Sequence, residues 1–150
     1  MALERAYREI QSRIHPDRFA QASDAERRAS MQWTARVNEA YRTLKVPVQR
    51  AKYLLEMSGV DVAFETNTQM PSDFLLRQLE LREALAEAKR EADLDRLRDG
   101  VLADARTLET EIGELIDARH DPRAAVGPVR KLMFLNRLAE EIDAAYEGVG

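Results

Sequence analysis

Residues 14–19 read Ile14-His15-Pro16-Asp17-Arg18-Phe19 and separate two helical sequence patterns. Proline cannot continue the interior of an α-helix, and it biases the residue before it toward extended backbone. The tripeptide His15-Pro16-Asp17 is therefore predicted to form a turn at the end of an N-terminal helix. Such a turn places an imidazole and a carboxylate side by side on a stiff, exposed loop, and loops of this kind often carry function.

Working outward from the turn, apolar residues recur at helical spacing on both sides. The upstream stripe predicts a helix from about Ala2 to Ile14 and consists of Leu3, Tyr7, Ile10 and Ile14. Downstream, Ser23 followed by Glu26 three residues later has the form of a helix N-cap. The stripe that follows, which includes Trp33 as a predicted buried residue, consists of Ala29, Trp33, Val37, Ala40, Tyr41 and Leu44. Pro47 is predicted to end this helix, and a short third helix is predicted from Val48 to Met57.

The helical pattern stops between Gly59 and Ser72, where turn-forming residues are common. We interpret residues 58–71 as a linker whose apolar side chains, Val60, Val62, Phe64 and Met70, pack down. After it, Ser72 is a candidate N-cap for a helix to about Lys89. A near-heptad series from Leu94 to Leu115 and a last helix beginning near Pro128 follow.

These patterns predict an all-α protein with almost no strand signal. Three antiparallel helices with short connections form a bundle. The predicted domains are residues 1–57, a helical hairpin unit, and residues 72–150, a three-helix bundle, joined by the linker.

Composition excludes several classes of site. The chain has 150 residues, a net charge of −4, no cysteine and two histidines, His15 and His120. Disulfides and thiolate metal sites are therefore excluded, and we expect no metal site and no cofactor. No nucleophile-and-base motif or phosphate-binding glycine loop is present, so we expect no catalytic residue and no enzyme activity.

The same numbers bear on location and partners. The chain has no apolar run long enough for a membrane span, and its N-terminus is too charged for a signal peptide, so we expect a cytoplasmic protein without membrane contact. The acidic balance, without aromatic residues interleaved with basic ones, disfavours nucleic-acid binding.

The first half resembles the J-domain, the module that stimulates the ATPase of DnaK-type chaperones. The resemblance rests on the His15-Pro16-Asp17 tripeptide, on the second-helix sequence VNEAYRTL at residues 37–44, and on Pro47 with RAKY at residues 50–53. A J-domain normally has a further short helix and an apolar lead-in before the basic helix. This chain begins almost directly on the basic helix, so we expect an N-terminal truncation.

The second half is similar to the C-terminal bundle of the HscB family, on the sequences FLLRQLELRE at residues 74–83 and VRKLMFL at residues 129–135. The sequence YLL at residues 53–55 also matches, where a general J-domain usually has Tyr-Asp. This resemblance implies an L-shaped two-domain arrangement, a J-domain first and the bundle second. It also implies two partners, the ATPase chaperone HscA and the iron–sulfur scaffold protein IscU, which an HscB protein delivers to HscA.

The J-domain resemblance implies a chaperone-binding role for the tripeptide, in which binding shifts the chaperone toward its hydrolysis-competent state. Arginines on the first helix and the turn would add a basic face for an acidic groove. The predicted chaperone-binding residues are His15, Pro16, Asp17, Arg5, Arg8, Arg13 and Arg18. The alternative interpretation is an ordinary helix-terminating turn in which Asp17 caps the next segment, beside a solvated basic surface.

Helix phase indicates a second site. At about 100° per residue, Phe74, Leu81 and Leu85 form the core stripe of their helix, while three further leucines point to roughly the opposite side. An apolar second face must be buried on something, either the rest of this chain or a partner. The resemblance points to the same positions for scaffold binding: Leu75, Leu76, Leu79, Glu80, Arg82, Glu83 and Phe134.

We therefore hypothesise a co-chaperone that couples an ATPase chaperone to the iron–sulfur scaffold. The alternatives are a J-domain adaptor with a different client, and a helical interaction module whose J-domain is not competent.

Overall fold

A computed structural model describes residues 2–60, 62 and 71–149, all of it helical or irregular within those ranges. These residues form six α-helices: α1 Ala2–Ile14, α2 Asp24–Lys45, α3 Pro47–Met57, α4 Ser72–Glu87, α5 Glu91–Gly113 and α6 Val126–Ala145. The all-α prediction is confirmed for these residues, and the predicted ends of α1 agree with the structure.

The chain divides into two compact units, residues 1–53 and 54–150, so the division falls within α3. The predicted boundaries at residues 57 and 72 and the L-shaped arrangement stay predictions. Val60 and Val62 of the predicted linker are buried, as expected, while Phe64 and Met70 lie outside the described residues.

In the first unit, α1 packs against α2 through a seam of mixed polarity. The Tyr7 and Tyr41 rings stack with their centroids 4.0 Å apart, and the Tyr7 hydroxyl donates to Asn38 Oδ1 at 2.5 Å. Further along the same side of α2, the hydroxyls of Ser30 and Thr34 donate to the carbonyl oxygen of Ile14. Hydrogen bonds as well as apolar contact therefore join the two helices.

The prediction that Trp33 is buried is wrong, because this side chain is 59% exposed. The residues of α2 that contact α1 include Ser30, Thr34, Asn38 and Tyr41. At about 100° per residue, Trp33 lies some 60° or more from that line. Tyr41 of the predicted stripe contacts α1, and so do polar residues beside the stripe, so the side of α2 that faces α1 is rotated away from Trp33.

The helix ends are set by local chemistry. Ser23 caps α2 as predicted, since its hydroxyl oxygen accepts from the Glu26 N–H at 3.2 Å. The N-cap prediction for Ser72 is wrong: Pro71 occupies the cap position of α4, and its carbonyl accepts from the Phe74 and Leu75 N–H groups. After α3, Gly59 has φ +80°, which lets the Val60 N–H donate back to the Leu55 carbonyl at 2.9 Å.

The second unit is a three-helix bundle in which α5 and α6 share most of the contact surface. Within α5 and α6 its buried side chains recur at steps of three, four or seven residues, as expected for one apolar side of each helix. The buried residues of α4, α5 and α6 are Leu81, Leu94, Val101, Ala105, Ile112, Val126, Val129, Leu132, Leu135, Leu138 and Ile142. Since α4 buries one residue among them, it is the most lightly anchored of the three helices.

Two features close the ends of the bundle. At one end, α5 continues into a π-helical turn, Glu114–Ala118, and His120 adopts φ 52° beyond it, where the Asp121 N–H donates to the Leu115 carbonyl. At the other end, the Tyr146 hydroxyl donates to Asp95 Oδ1 at 2.5 Å, and this hydrogen bond to a carboxylate raises the pKa of Tyr146 to about 12.

The start of α5 has its own electrostatic cap. Asp93 accepts from the backbone N–H of Arg90 and receives hydrogen bonds from the Arg90 and Arg96 side chains. These two guanidinium groups hold the pKa of Asp93 below its usual value. An ionised carboxylate in the first turn also interacts favourably with the helix dipole.

Candidate functional site

The turn at His15-Pro16-Asp17 is a short 3-10 helix, Pro16–Phe19, that follows α1 directly. Pro16 occupies the first helical position, where its missing N–H costs no hydrogen bond. The His15 N–H still donates to the Gln11 carbonyl of α1, and the Arg18 N–H donates to the His15 carbonyl, both at 3.0 Å. The predicted turn is therefore confirmed, and backbone hydrogen bonds hold it on both sides.

Within this turn the capping group is His15. Its Nδ1 accepts from the Asp17 N–H at 3.2 Å, whereas the alternative interpretation gave the capping role to Asp17. An Nδ1 that accepts leaves the imidazole proton on Nε2, so the outward nitrogen is a hydrogen-bond donor. The Asp17 side chain is 91% exposed. The loop therefore presents one N–H donor and one carboxylate to solvent.

The four arginines of the predicted basic face are all exposed. Arg8 pairs with Glu4 at 3.3 Å and Arg13 with Glu9 at 2.8 Å along α1. Arg18 donates to the Ser12 carbonyl at 2.9 Å, and Arg5 has no ion pair with any described residue. The basic face is thus partly neutralised by carboxylates of its own helix.

The predicted leucine face of α4 is exposed. Leu75, Leu76 and Leu79 are 45%, 59% and 63% exposed, while Leu81 on the other side of the helix is 4% exposed. The helix-phase prediction of orientation is confirmed. We call these three leucines the α4 leucine face; three large apolar side chains within five residues form the kind of patch that marks an interaction surface.

Phe134 of α6 lies beside this helix and is half-buried. Its ring meets Phe74 edge-on, with centroids 5.8 Å apart, and the Arg82 guanidinium lies 5.5 Å from the Phe134 centroid. The structure therefore brings Phe134 to Arg82, one of the α4 residues with which it was grouped from sequence, across 52 positions, and to Phe74, which the sequence assigned to the core stripe.

The charges around the leucine face have different partners. Arg77 pairs with Glu80 at 3.7 Å and with Asp104 of α5 at 3.6 Å, whereas Glu83 is exposed and has no ion pair with a described residue. Two contacts were not expected from sequence: an ion pair between Arg82 and Glu141, and the Lys131 ammonium 5.4 Å from the Phe74 ring. Glu141 follows Phe134 by seven residues, a spacing that places both on one side of α6. This spacing is the sequence signal that could have indicated the Arg82–Glu141 ion pair.

Comparison with known proteins bears on both units. Residues 70–143 match the family model described as the HSCB C-terminal oligomerisation domain. Over nearly the whole chain, the sequence is 47% identical to the "Co-chaperone protein HscB homolog" of Aromatoleum aromaticum, a match that covers 99% of this chain and 85% of that protein.

The chain belongs to the HscB co-chaperone family.

Two further HscB homologs agree. The Cupriavidus taiwanensis protein is 51% identical, over 97% of this chain and 84% of its own length, and the Ralstonia nicotianae protein is 53% identical, over 95% and 85%. The recognition made from the tripeptide and the two bundle sequences is confirmed.

Solved HscB structures have the same fold. Human co-chaperone HscB superposes with a TM-score of 0.89 at 29% identity and covers 95% of this chain and 72% of that one. Chaperone HscB from Vibrio cholerae gives a TM-score of 0.80 at 35% identity, over 99% of this chain and 88% of that one. The J-domain and helical-bundle architecture predicted from the sequence is therefore confirmed.

Two features are absent from the part of the chain that the structure describes. Across residues 2–60, 62 and 71–149, no helix is long and apolar enough to cross a membrane. The same residues contain no group of three or more histidine or carboxylate side chains that could hold a metal ion.

Proposed function

We propose that this HscB family member stimulates ATP hydrolysis by an HscA/DnaK-type chaperone and delivers the iron–sulfur scaffold protein IscU to it. The first unit is the proposed chaperone-binding unit and the second the proposed scaffold-binding unit. The observation that supports the proposal is the exposure of Asp17 in the turn and of the α4 leucine face on a chain about 50% identical to HscB co-chaperones.

The geometry of the turn supports its proposed role as a binding element. His15 offers an Nε2–H donor, Asp17 offers an exposed carboxylate, and Pro16 limits the backbone between them. A rigid presentation of this kind lowers the entropy lost on binding. The turn carries no chemistry of its own, and in this proposal it acts by binding one state of the chaperone preferentially.

The α4 leucine face and Phe134 support the proposed scaffold-binding role. Interfaces commonly have an apolar centre surrounded by polar residues. Here the centre is leucine and phenylalanine, and Glu80, Arg82 and Glu83 lie at its edge. Arg77 and Arg82 already pair with carboxylates of this chain, whereas Glu83 has no ion pair with a described residue. The edge is therefore acidic, which suits a scaffold segment with apolar and basic side chains.

The experiment separates the two functions with two sets of variants. His15→Ala is expected to remove stimulation of the chaperone ATPase and to leave scaffold affinity unchanged. Leu76→Ala combined with Phe134→Ala is expected to weaken scaffold binding in calorimetry and to leave stimulation in the absence of scaffold unchanged.

For each variant, the opposite outcome would refute one part of the proposal. Unchanged stimulation by His15→Ala contradicts the role of the turn, and unchanged affinity of the double variant contradicts the role of the leucine face. Stimulation by the wild-type protein without any scaffold binding would favour a J-domain protein with a different client.

A further inference from the structure

Phe134 is held in place by two residues of α4, and neither contact is strong alone. Phe74 touches the ring edge-on, and the Arg82 guanidinium lies over the ring. Arg82 is 43% exposed, so its guanidinium also has water available. A cation–π contact at an exposed site is weak compared with the rotamer freedom that an arginine loses when it is fixed.

Glu141 provides a further interaction that restricts the rotamers of Arg82. It pairs with Arg82 through its carboxylate, and it stands seven residues after Phe134 on α6, which is two helical turns along the same side. The Arg82 guanidinium therefore makes two contacts with α6: it bonds to the Glu141 carboxylate and covers the Phe134 ring. A charge-assisted bond with this geometry selects one arginine rotamer.

The same pair also joins α4 to α6. Leu81 is the one buried residue described on α4, so ion pairs at its surface contribute more to its placement than they would on a deeply buried helix. Arg82–Glu141 links α4 to α6, and Arg77–Asp104 links α4 to α5. The first of these links involves Arg82, which follows Leu79 by three residues on α4 and lies over the Phe134 ring.

We infer that Glu141 is a positioning residue for cargo binding: through Arg82 it fixes the Phe134 ring against α4, the helix that carries the leucine face. The inference rests on the proposed scaffold-binding role of that face. Glu141 lies outside the residue set that the sequence assigned to the site, and in this arrangement it acts on the partner through Arg82 without touching it.

The chain offers a matched control for Glu141 on the same helix. Asp143 also pairs with an arginine, Arg98, at 3.2 Å, and it points to the other side of α6 because two residues correspond to about 200°. Glu141→Gln and Asp143→Asn each remove one negative charge and one ion pair. We expect Glu141→Gln to weaken IscU binding roughly three- to tenfold and Asp143→Asn to change it less than about twofold.

Kinetics separate positioning from long-range attraction. If Glu141 acts by holding Phe134, Glu141→Gln raises the dissociation rate of the IscU complex and leaves the association rate and its salt dependence unchanged. A change confined to the association rate would overturn the inference, as would equal effects of the two variants.

A double-mutant cycle tests whether Arg82 transmits the effect. In an Arg82→Met background, Glu141→Gln is expected to have no further effect on IscU affinity, since the group it positions is gone. A full effect of Glu141→Gln in that background would show that Glu141 contacts the scaffold directly, and it would overturn the inference.

A measurement without scaffold keeps this inference separate from the proposed function. With 4-fluorophenylalanine at position 134, we expect Glu141→Gln to shift or broaden the ¹⁹F resonance of the free protein, while Asp143→Asn leaves it unchanged. If the wild-type protein does not bind IscU, the proposed function fails and this resonance decides the positioning role. An unchanged resonance refutes the positioning role even where IscU binds.

Discussion

The turn at residues 15–17 and the α4 leucine face differ in how far apart in sequence their supporting contacts lie. The hydrogen bonds that His15 and Asp17 make join residues no more than four positions apart, such as His15 to Gln11 and Asp17 to His15. The leucine face depends on contacts of α4 with α5 and α6, such as Arg82 with Glu141, 59 positions away. A local site keeps its geometry when distant packing weakens, whereas a surface presented by a bundle does not.

The largest expected effect comes from a change in the bundle core. Leu138 is fully buried on α6, so Leu138→Ala should lower the free energy of unfolding of the second unit by about 2–5 kcal/mol. Urea unfolding followed by circular dichroism measures this change. Scaffold affinity should fall with it, while ATPase stimulation without scaffold should persist. Loss of stimulation in a folded first unit would show that the two regions are not independent.

The next effect concerns the leucine face itself. Leu79 is 63% exposed, so Leu79→Ala should leave the free energy of unfolding nearly unchanged. If Leu79 is a central contact, the variant should lose about 2 kcal/mol of scaffold-binding free energy, roughly 30-fold in Kd, in calorimetry. Leu102→Ala on α5, another exposed leucine, is the control and should bind like the wild type. Equal affinities of Leu79→Ala and wild type would remove Leu79 from the interface.

A smaller effect separates the two roles of His15. The cap needs an acceptor for the Asp17 N–H, which asparagine can supply and alanine cannot. His15→Ala should therefore lower the stability of the first unit by about 1 kcal/mol, and His15→Asn should lower it less. Both variants should fail to stimulate the chaperone ATPase, since both lack the Nε2–H donor. If His15→Asn retained stimulation, the cap of the Asp17 N–H would be what stimulation requires, and the Nε2–H donor would not be needed.

The smallest expected effect lies at the far end of the bundle and appears at high pH. The pKa of Tyr146 is raised from 10.0 to about 12 by its hydrogen bond to Asp95, so the folded state favours the protonated phenol. The stability from this bond is complete below pH 10 and is lost as the pH rises toward 12. The difference in Tm between wild type and Tyr146→Phe should shrink over that interval. A constant difference would contradict the role of the phenol proton.

Much of the architecture was predictable because it depends on short-range rules. The bounds of α1, the Ser23 cap and the turn at Pro16 follow from helical periodicity and from the chemistry of single residues. The orientation of Leu75, Leu76 and Leu79 follows from helix phase alone. The error at Ser72 arose because serine is a good cap in general, and the preceding Pro71 took that position here.

Other features depend on which helix faces meet. The exposure of Trp33 follows from a seam between α1 and α2 that uses Ser30, Thr34 and Asn38. The contacts around Phe134 depend on the order of α4, α5 and α6 in the bundle. No local pattern contains this information.

The sequence by itself determined the family, the helical class, the turn that bears His15 and Asp17, and the side of α4 that carries the three leucines. These features depend on backbone restrictions and on a period of 3.6 residues, which act within one or two helical turns. Only the tertiary structure decided that Phe74 and Arg82 hold Phe134 and that Glu141 pairs with Arg82. These contacts join residues 52 to 60 positions apart, and packing of whole helices is what brings such residues together.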